Sequence, residues 1–174
     1  MAESHMVTGL FRDRDAAERA YQSTADRGYG RNDVNVVMSD ATRERYFAPG
    51  TTRTELGNKA AEGAGIGGAV GGTVGAIAAA IAAVGTSIAI PGLGLVVAGP
   101  VAAALAGAGA GAATGGLVGA LIGWGIPEER VRHYEAGIRD GGILMMVEAR
   151  SDEDARQIEQ QWKALGGRDV TPAA

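Results

Sequence analysis

The chain has 174 residues, a formal charge of −4 and no cysteine. That length suits one domain, or one domain carrying an insertion. The lack of cysteine excludes disulfides, thiolate catalysis and Cys-based metal sites, and the mild acidity offers no electrostatic footprint for nucleic acid. With 29 glycines and only 5% aromatic residues, a core must be built largely from small side chains.

The opening MAESHMVTGLFRDRD lacks the basic start and apolar run of a signal peptide, so a cytoplasmic origin is expected. Residues 6–11 read as a short strand that ends in a charged turn. Asp13 is the expected N-cap of a helix to about Arg27, with Ala16, Ala17, Ala20, Tyr21 and Thr24 on its inner face. Gly28 stands where a helix C-terminal glycine belongs. Residues 33–39 then alternate, with Val34, Val36 and Met38 on one side, as a half-buried strand does. Residues 40–58 are polar and read as a connector with room for a short helix, in which Tyr46 and Phe47 are packing residues or an interfacial anchor.

From Gly63 to Pro127 there is no Asp, Glu, Lys, Arg or His. Glycine recurs every fourth residue at Gly63, Gly67, Gly71 and Gly75, and again at Gly107, Gly111, Gly115, Gly119 and Gly123. A four-residue step aligns them along one stripe of a helix, where bare backbone admits a close neighbour. The stretch divides into two expected helices, 59–84 and 100–124, joined through Gly85 to Gly99, with Pro100 at a first helical position. At 1.5 Å per residue each would be about 37 Å long, enough to cross a bilayer. Glycine is about 1 kcal/mol worse than alanine in a helix interior, so neither helix should stand alone in water. Lipid would rescue them, with Trp124 as the membrane-interface anchor and both termini on the cytoplasmic side by the distribution of Arg and Lys. The absence of charge, the spanning length and Trp124 favour lipid. A tightly packed assembly of identical chains is the competitor, because alanine and glycine drive insertion poorly and large aliphatic side chains are sparse. A monomer that covers its own hairpin is a third reading.

Soluble-domain sequence resumes at Ile126, and Pro127, Glu128 and Glu129 make a good first turn of a helix with an apolar stripe of Val131, Tyr134 and Ile138. Residues 143–149 are apolar at consecutive positions, which predicts a central strand covered on both faces. Ser151 caps a helix to about Leu165 that turns Ala155, Ile158, Trp162 and Leu165 inward, and residues 168–171 add a short edge strand. Without residues 59–125 the order is β-α-β, a helix, then β-α-β. The expected fold is therefore α+β: a ferredoxin-like sandwich, its helices on one side of an antiparallel sheet, with an inserted glycine-zipper helical hairpin. The expected boundaries are 1–58 for the first half with its connector, 59–125 for the hairpin, and 126–174 for the second half.

No catalytic constellation emerges. Gly63 to Gly68 match G-x-G-x-x-G, but no strand precedes them and no acid follows at the required distance; no G-K-[ST] exists. His5 and His133 read as surface residues, the acids Asp152, Glu153 and Asp154 as a solvated first turn, and Met145 and Met146 as core. No catalytic, cofactor or metal residue is expected.

Gly9-Leu10-Phe11, the alanine-rich helix ending at Gly28, the strand Asp33 to Val37, Gly125-Ile126-Pro127-Glu128-Glu129 with Tyr134-Glu135, and Gly141-Gly142 before Ile143 to Val147 together carry a resemblance. In this order they resemble the bacterial heat-induced general stress protein domain, and a group of bacterial membrane proteins in which a Gly/Ala-rich hairpin interrupts the same units. The resemblance implies a stress-associated bacterial protein that is not an enzyme. The leading expectation is a structural protein that self-assembles through its hairpins, embedded in the inner membrane or as a cytosolic particle that buries or lines an apolar interior. Its partner would be itself, with lipid as a further one. Two other readings stand beside it: a regulatory module for a small ligand, drawing on Tyr21, Tyr134 and Arg139, and a pore-forming hairpin.

Overall fold

The computed structural model describes residues 5–30, 33–47, 88–90, 95–98, 121–122 and 126–172. The strands are β1 (His5–Phe11), β2 (Val34–Ser39), β3 (Ile88–Ile90), β4 (Leu95–Ala98), β5 (Ile143–Ala149) and β6 (Arg168–Pro172). The helices are α1 (Arg14–Asp26), α2 (Asp40–Phe47), α3 (Glu128–Arg139) and α4 (Asp152–Ala164). The fold is α+β, and the strands form one sheet in the order β3-β4-β2-β5-β1-β6 with every neighbouring pair antiparallel.

Local chemistry explains where the helices start and stop. The Asp13 carboxylate accepts the Ala16 N–H at 2.7 Å, and the Ser151 hydroxyl accepts that of Asp154 at 3.1 Å, each satisfying an orphan donor of a first turn. Three helices end alike: Gly28, Gly141 and Gly166 have φ of 85°, 95° and 93°, a conformation that side chains resist. Their amides, and those of the residues after them, return to the last-turn carbonyls in the double bond of a Schellman motif.

β5 lies between β2 and β1, with Val34 opposite Val147 on one side and His5 opposite Ala149 on the other. Six of its seven residues are buried, Glu148 being the exception, as the consecutive apolar run requires. Alternation then divides the core in two. On one face Val7, Phe11, Val36, Met38, Ile143, Met145 and Val147 meet α1 and α4. On the other, Met6, Leu10, Val37, Leu144 and Met146 meet Val131, Tyr134 and Ile138 of α3 together with Leu121 and Ile126. The expectation of helices on one side only is thus corrected: α3 covers the opposite face. Strands with apolar residues on both faces need two covers, and α1 with α4 supplies one.

Among the described residues Trp162 is the largest fully buried side chain, and it joins the α1–α4 layer to the sheet. Its ring stands edge-on to Phe11, with centroids 5.7 Å apart, and its indole N–H donates to Thr24 Oγ1 at 3.0 Å. Gly9 makes room for it, since a Cβ there would sit 2.9 Å from Trp162 Cε3.

The region between Gly85 and Gly99, expected as a plain link between two helices, contributes β3 and β4. Ile88 pairs with Val97, and Val36 to Ser39 pair with Ala98 to Leu95, so this segment extends the sheet beyond β2. Its signature is short apolar runs around Pro91-Gly92-Leu93-Gly94, which suits a β-hairpin. The expected helices 59–84 and 100–124 lie almost wholly outside the described residues. Among the described residues no helix is long and apolar enough to cross a membrane.

Candidate functional site

The residues expected to pack hairpins together, Gly63, Gly67, Gly71, Gly75, Gly107, Gly111, Gly115, Gly119 and Gly123, lie outside the described residues, as does the expected anchor Trp124. The residues named for a ligand module do not converge. Tyr21 is buried in the α1–α4 layer, Tyr134 in the α3 layer, and Arg139 is exposed and bonded to Glu135. His5 pairs with Asp152 at 2.9 Å, Met145 and Met146 are core, and Ser151 is a helix cap. Among the described residues no three His, Asp or Glu side chains gather as metal ligands would.

Tyr134 organises the ground under α3. Its hydroxyl donates to the Asp169 carbonyl at 2.8 Å and shares a 2.7 Å hydrogen bond with Thr8 Oγ1, which ties α3 to β1 and β6. The β1–β6 register shifts between Thr8 and Leu10, leaving Asp169 and Val170 opposite Gly9. Asp169 takes a left-handed φ of 50° at this bulge, a conformation that aspartate tolerates better than most side chains. The Tyr134 bond to its carbonyl holds the irregularity in place.

Burial raises the Tyr134 pKa above the ordinary phenol value, with the Thr8 hydrogen bond pulling the other way. The folded state therefore prefers the neutral phenol. Its contribution is complete below about pH 10, where the unfolded tyrosine titrates, and is lost as pH rises through the higher folded value. Tyr134→Phe should cost about 1 kcal/mol at neutral pH. It should also shrink the loss of stability between neutral and strongly alkaline pH. Urea midpoints at both pH values check this, with part of the alkaline slope surviving because Tyr29 is shifted upward by burial too.

Around this tie lies the strongest candidate for a site, two adjoining clefts where α3 meets β6. One, of about 520 Å³, is lined by Leu10, Arg12, His133, Asp140 and Arg168 among others. The second, of about 280 Å³, is lined by Glu129, Arg130, His133, Asp169 and Thr171. His133 and Asp169 border both clefts, with Nε2 and Oδ2 3.5 Å apart. That pair is not the base of a hydrolytic triad as it stands: the His133 side chain is 72% exposed, and among the described residues no hydroxyl hydrogen-bonds the imidazole. Arg12, Arg168, Asp140 and Asp169 line the first cleft and Arg130, Glu129 and Asp169 the second, so both clefts carry both signs of charge.

Sequence reasoning did not single out this cluster. Arg12 reads as part of a charged turn, Arg130 as a flanking cation of the apolar stretch, and Arg168 as an edge-strand residue. They come from three distant parts of the chain, and only the β1–β6 pairing and the seat of α3 bring them together. Comparison of the chain with family models, with curated proteins and with solved structures finds no match in any of the three.

Proposed function

We propose that the chain is a non-enzymatic, stress-associated structural protein. Its sheet domain is a ferredoxin-like sandwich, and it assembles with its own copies through the Gly/Ala-rich stretches inserted between β2 and α3. The sandwich reading rests on connectivity. Setting aside the added pair β3–β4, the strands lie in the order β2-β5-β1-β6, with α1 and α4 as the crossovers of two split β-α-β units. The stress association rests on the resemblance of the chain to the heat-induced general stress protein domain.

One observation carries the form of the assembly. The segment between the two glycine-rich stretches is hydrogen-bonded into the sheet as β3 and β4, and Leu121, near the end of the second stretch, is buried in the same core as Val97. A bilayer-spanning hairpin would carry that segment to the far side of the membrane, away from the domain. Its place beside β2 favours a particle in which the charge-free stretches pack against other copies. Neither the ligand module built on Tyr21, Tyr134 and Arg139 nor the pore has a comparable observation behind it.

Native mass measurement of detergent-free protein is the test. The expected result is a multimer that dissociates when Gly67, Gly71, Gly111 and Gly115 are changed together to leucine, which removes the close approach while circular dichroism of the sheet domain is kept. A wild-type chain that runs as a monomer would refute self-assembly, and one recovered only with membranes would replace the particle by the embedded form.

A further inference from the structure

We propose that the larger cleft, at the C-terminal end of α3, binds a small zwitterion of the amino-acid type, its carboxylate on Arg12 and Arg168 and its ammonium toward Asp140. The sheet register brings these groups together. Leu10 stands opposite Leu144 of β5 on one side and opposite Arg168 of β6 on the other, and Arg12 follows it by two residues. Asp140 closes α3 just before Gly141 and Gly142 lead into β5. Leu10, Arg12, Asp140 and Arg168 therefore line one cleft of about 520 Å³, a volume within the usual range of small-molecule sites.

Arg12, Asp140 and Arg168 are exposed, so a ligand entering from solvent meets their charged ends. Among the described residues none of the three forms an ion pair, although opposite charges share the cleft. Charges nearby are committed: Arg132 pairs with Glu128, Arg139 with Glu135, and His133 with Asp169. Two guanidinium groups on neighbouring strands repel each other, and a carboxylate between them relieves that repulsion with bidentate geometry. A bare anion suits the cleft poorly, because Asp140 and Asp169 line it too and would repel it. The ligand that answers both signs carries a carboxylate and an ammonium. Leu10, Ala136 and Gly137 add an apolar surface for its side chain.

Thermal melting of the full chain with each standard L-amino acid, against sodium chloride at matched ionic strength, is the screen. At least one amino acid is expected to raise the melting temperature. Isothermal titration then compares that amino acid with its deaminated and decarboxylated analogues. The intact zwitterion should bind saturably and more tightly than either analogue. Arg12→Gln and Arg168→Gln should each weaken binding about tenfold, the loss of one charge-assisted contact, while the melting temperature without ligand stays near that of the parent chain. Asp140→Asn should weaken the zwitterion but leave the deaminated acid unaffected, a difference that a merely structural role would not produce. A screen with no effect beyond that of chloride, full affinity in both arginine variants, or equal losses for acid and zwitterion in Asp140→Asn would overturn the proposal. The experiment does not depend on self-assembly, since every group it concerns belongs to the sheet domain.

Discussion

Trp162→Ala is expected to remove about 3–5 kcal/mol of stability, the range for deleting a buried aromatic side chain. Small domains hold only about 5–15 kcal/mol in all, so much of the population should unfold under mild conditions. The size of the effect follows from what the indole joins. It fills the space left open by Gly9, packs edge-on against Phe11, and reaches from α4 to Thr24 of α1. Thr24 in turn donates its own proton to the Ala20 carbonyl at 2.8 Å, so it is oriented to accept from the indole. Thr24→Val keeps the volume and strands the indole N–H in an apolar layer, which should cost about 1–3 kcal/mol. Urea unfolding followed by far-ultraviolet circular dichroism separates the two, and fluorescence would not, because Trp124 also emits. Equal, small effects from both variants would show that the indole is not the centre of this layer.

Elements marked by local chemistry were legible in the sequence. Asp13 and Ser151 announce helix starts through a single side-chain oxygen, Gly28 and the Gly141 and Gly166 pairs announce ends, and the run from Ile143 to Ala149 announces a strand covered twice. Each signal lies within a few residues of the feature it sets. The opposite cover was harder to see, because nothing in the stripe Val131, Tyr134, Ile138 says which face of the sheet it will meet. The strands β3 and β4 were hidden for another reason. Ile88 to Ile90 and Leu95 to Ala98 sit inside a long charge-free stretch, where a four-residue glycine period dominates and two short β runs around Pro91-Gly92 pass as a link. The candidate site was the least legible part. Asp169 reaches its left-handed conformation through a register shift against β1 and a hydrogen bond from Tyr134, 35 residues away in sequence. No spacing rule connects Arg12, Arg130 and Thr171 before the sheet has formed.

Met145→Asp and Met146→Asp, made separately, should each prevent the domain from folding. The two residues are neighbours on β5, both with no exposed surface, yet they belong to different cores: Met145 to the layer under α1 and α4, Met146 to the layer under α3. An unpaired carboxylate in either place must be desolvated or protonated, at a cost of several kcal/mol. Glu148, two residues beyond Met146 on the same face of the strand, marks where that cover ends, for it is exposed. A sheet with helices on one side only would give a different result, with Met146→Asp tolerated at a solvated surface and Met145→Asp alone destructive. Circular dichroism and the yield of soluble protein distinguish the outcomes. Glu148→Ala, which alters charge outside both cores, should change stability by no more than about 0.5 kcal/mol. Failure of both methionine variants beside an unchanged Glu148 variant requires that α3 hold its face as firmly as α1 and α4 hold theirs. The tie from Tyr134 to Thr8 and the Asp169 carbonyl is then a brace inside a closed layer, joining α3 to β1 and β6 under a face that is covered as fully as the other.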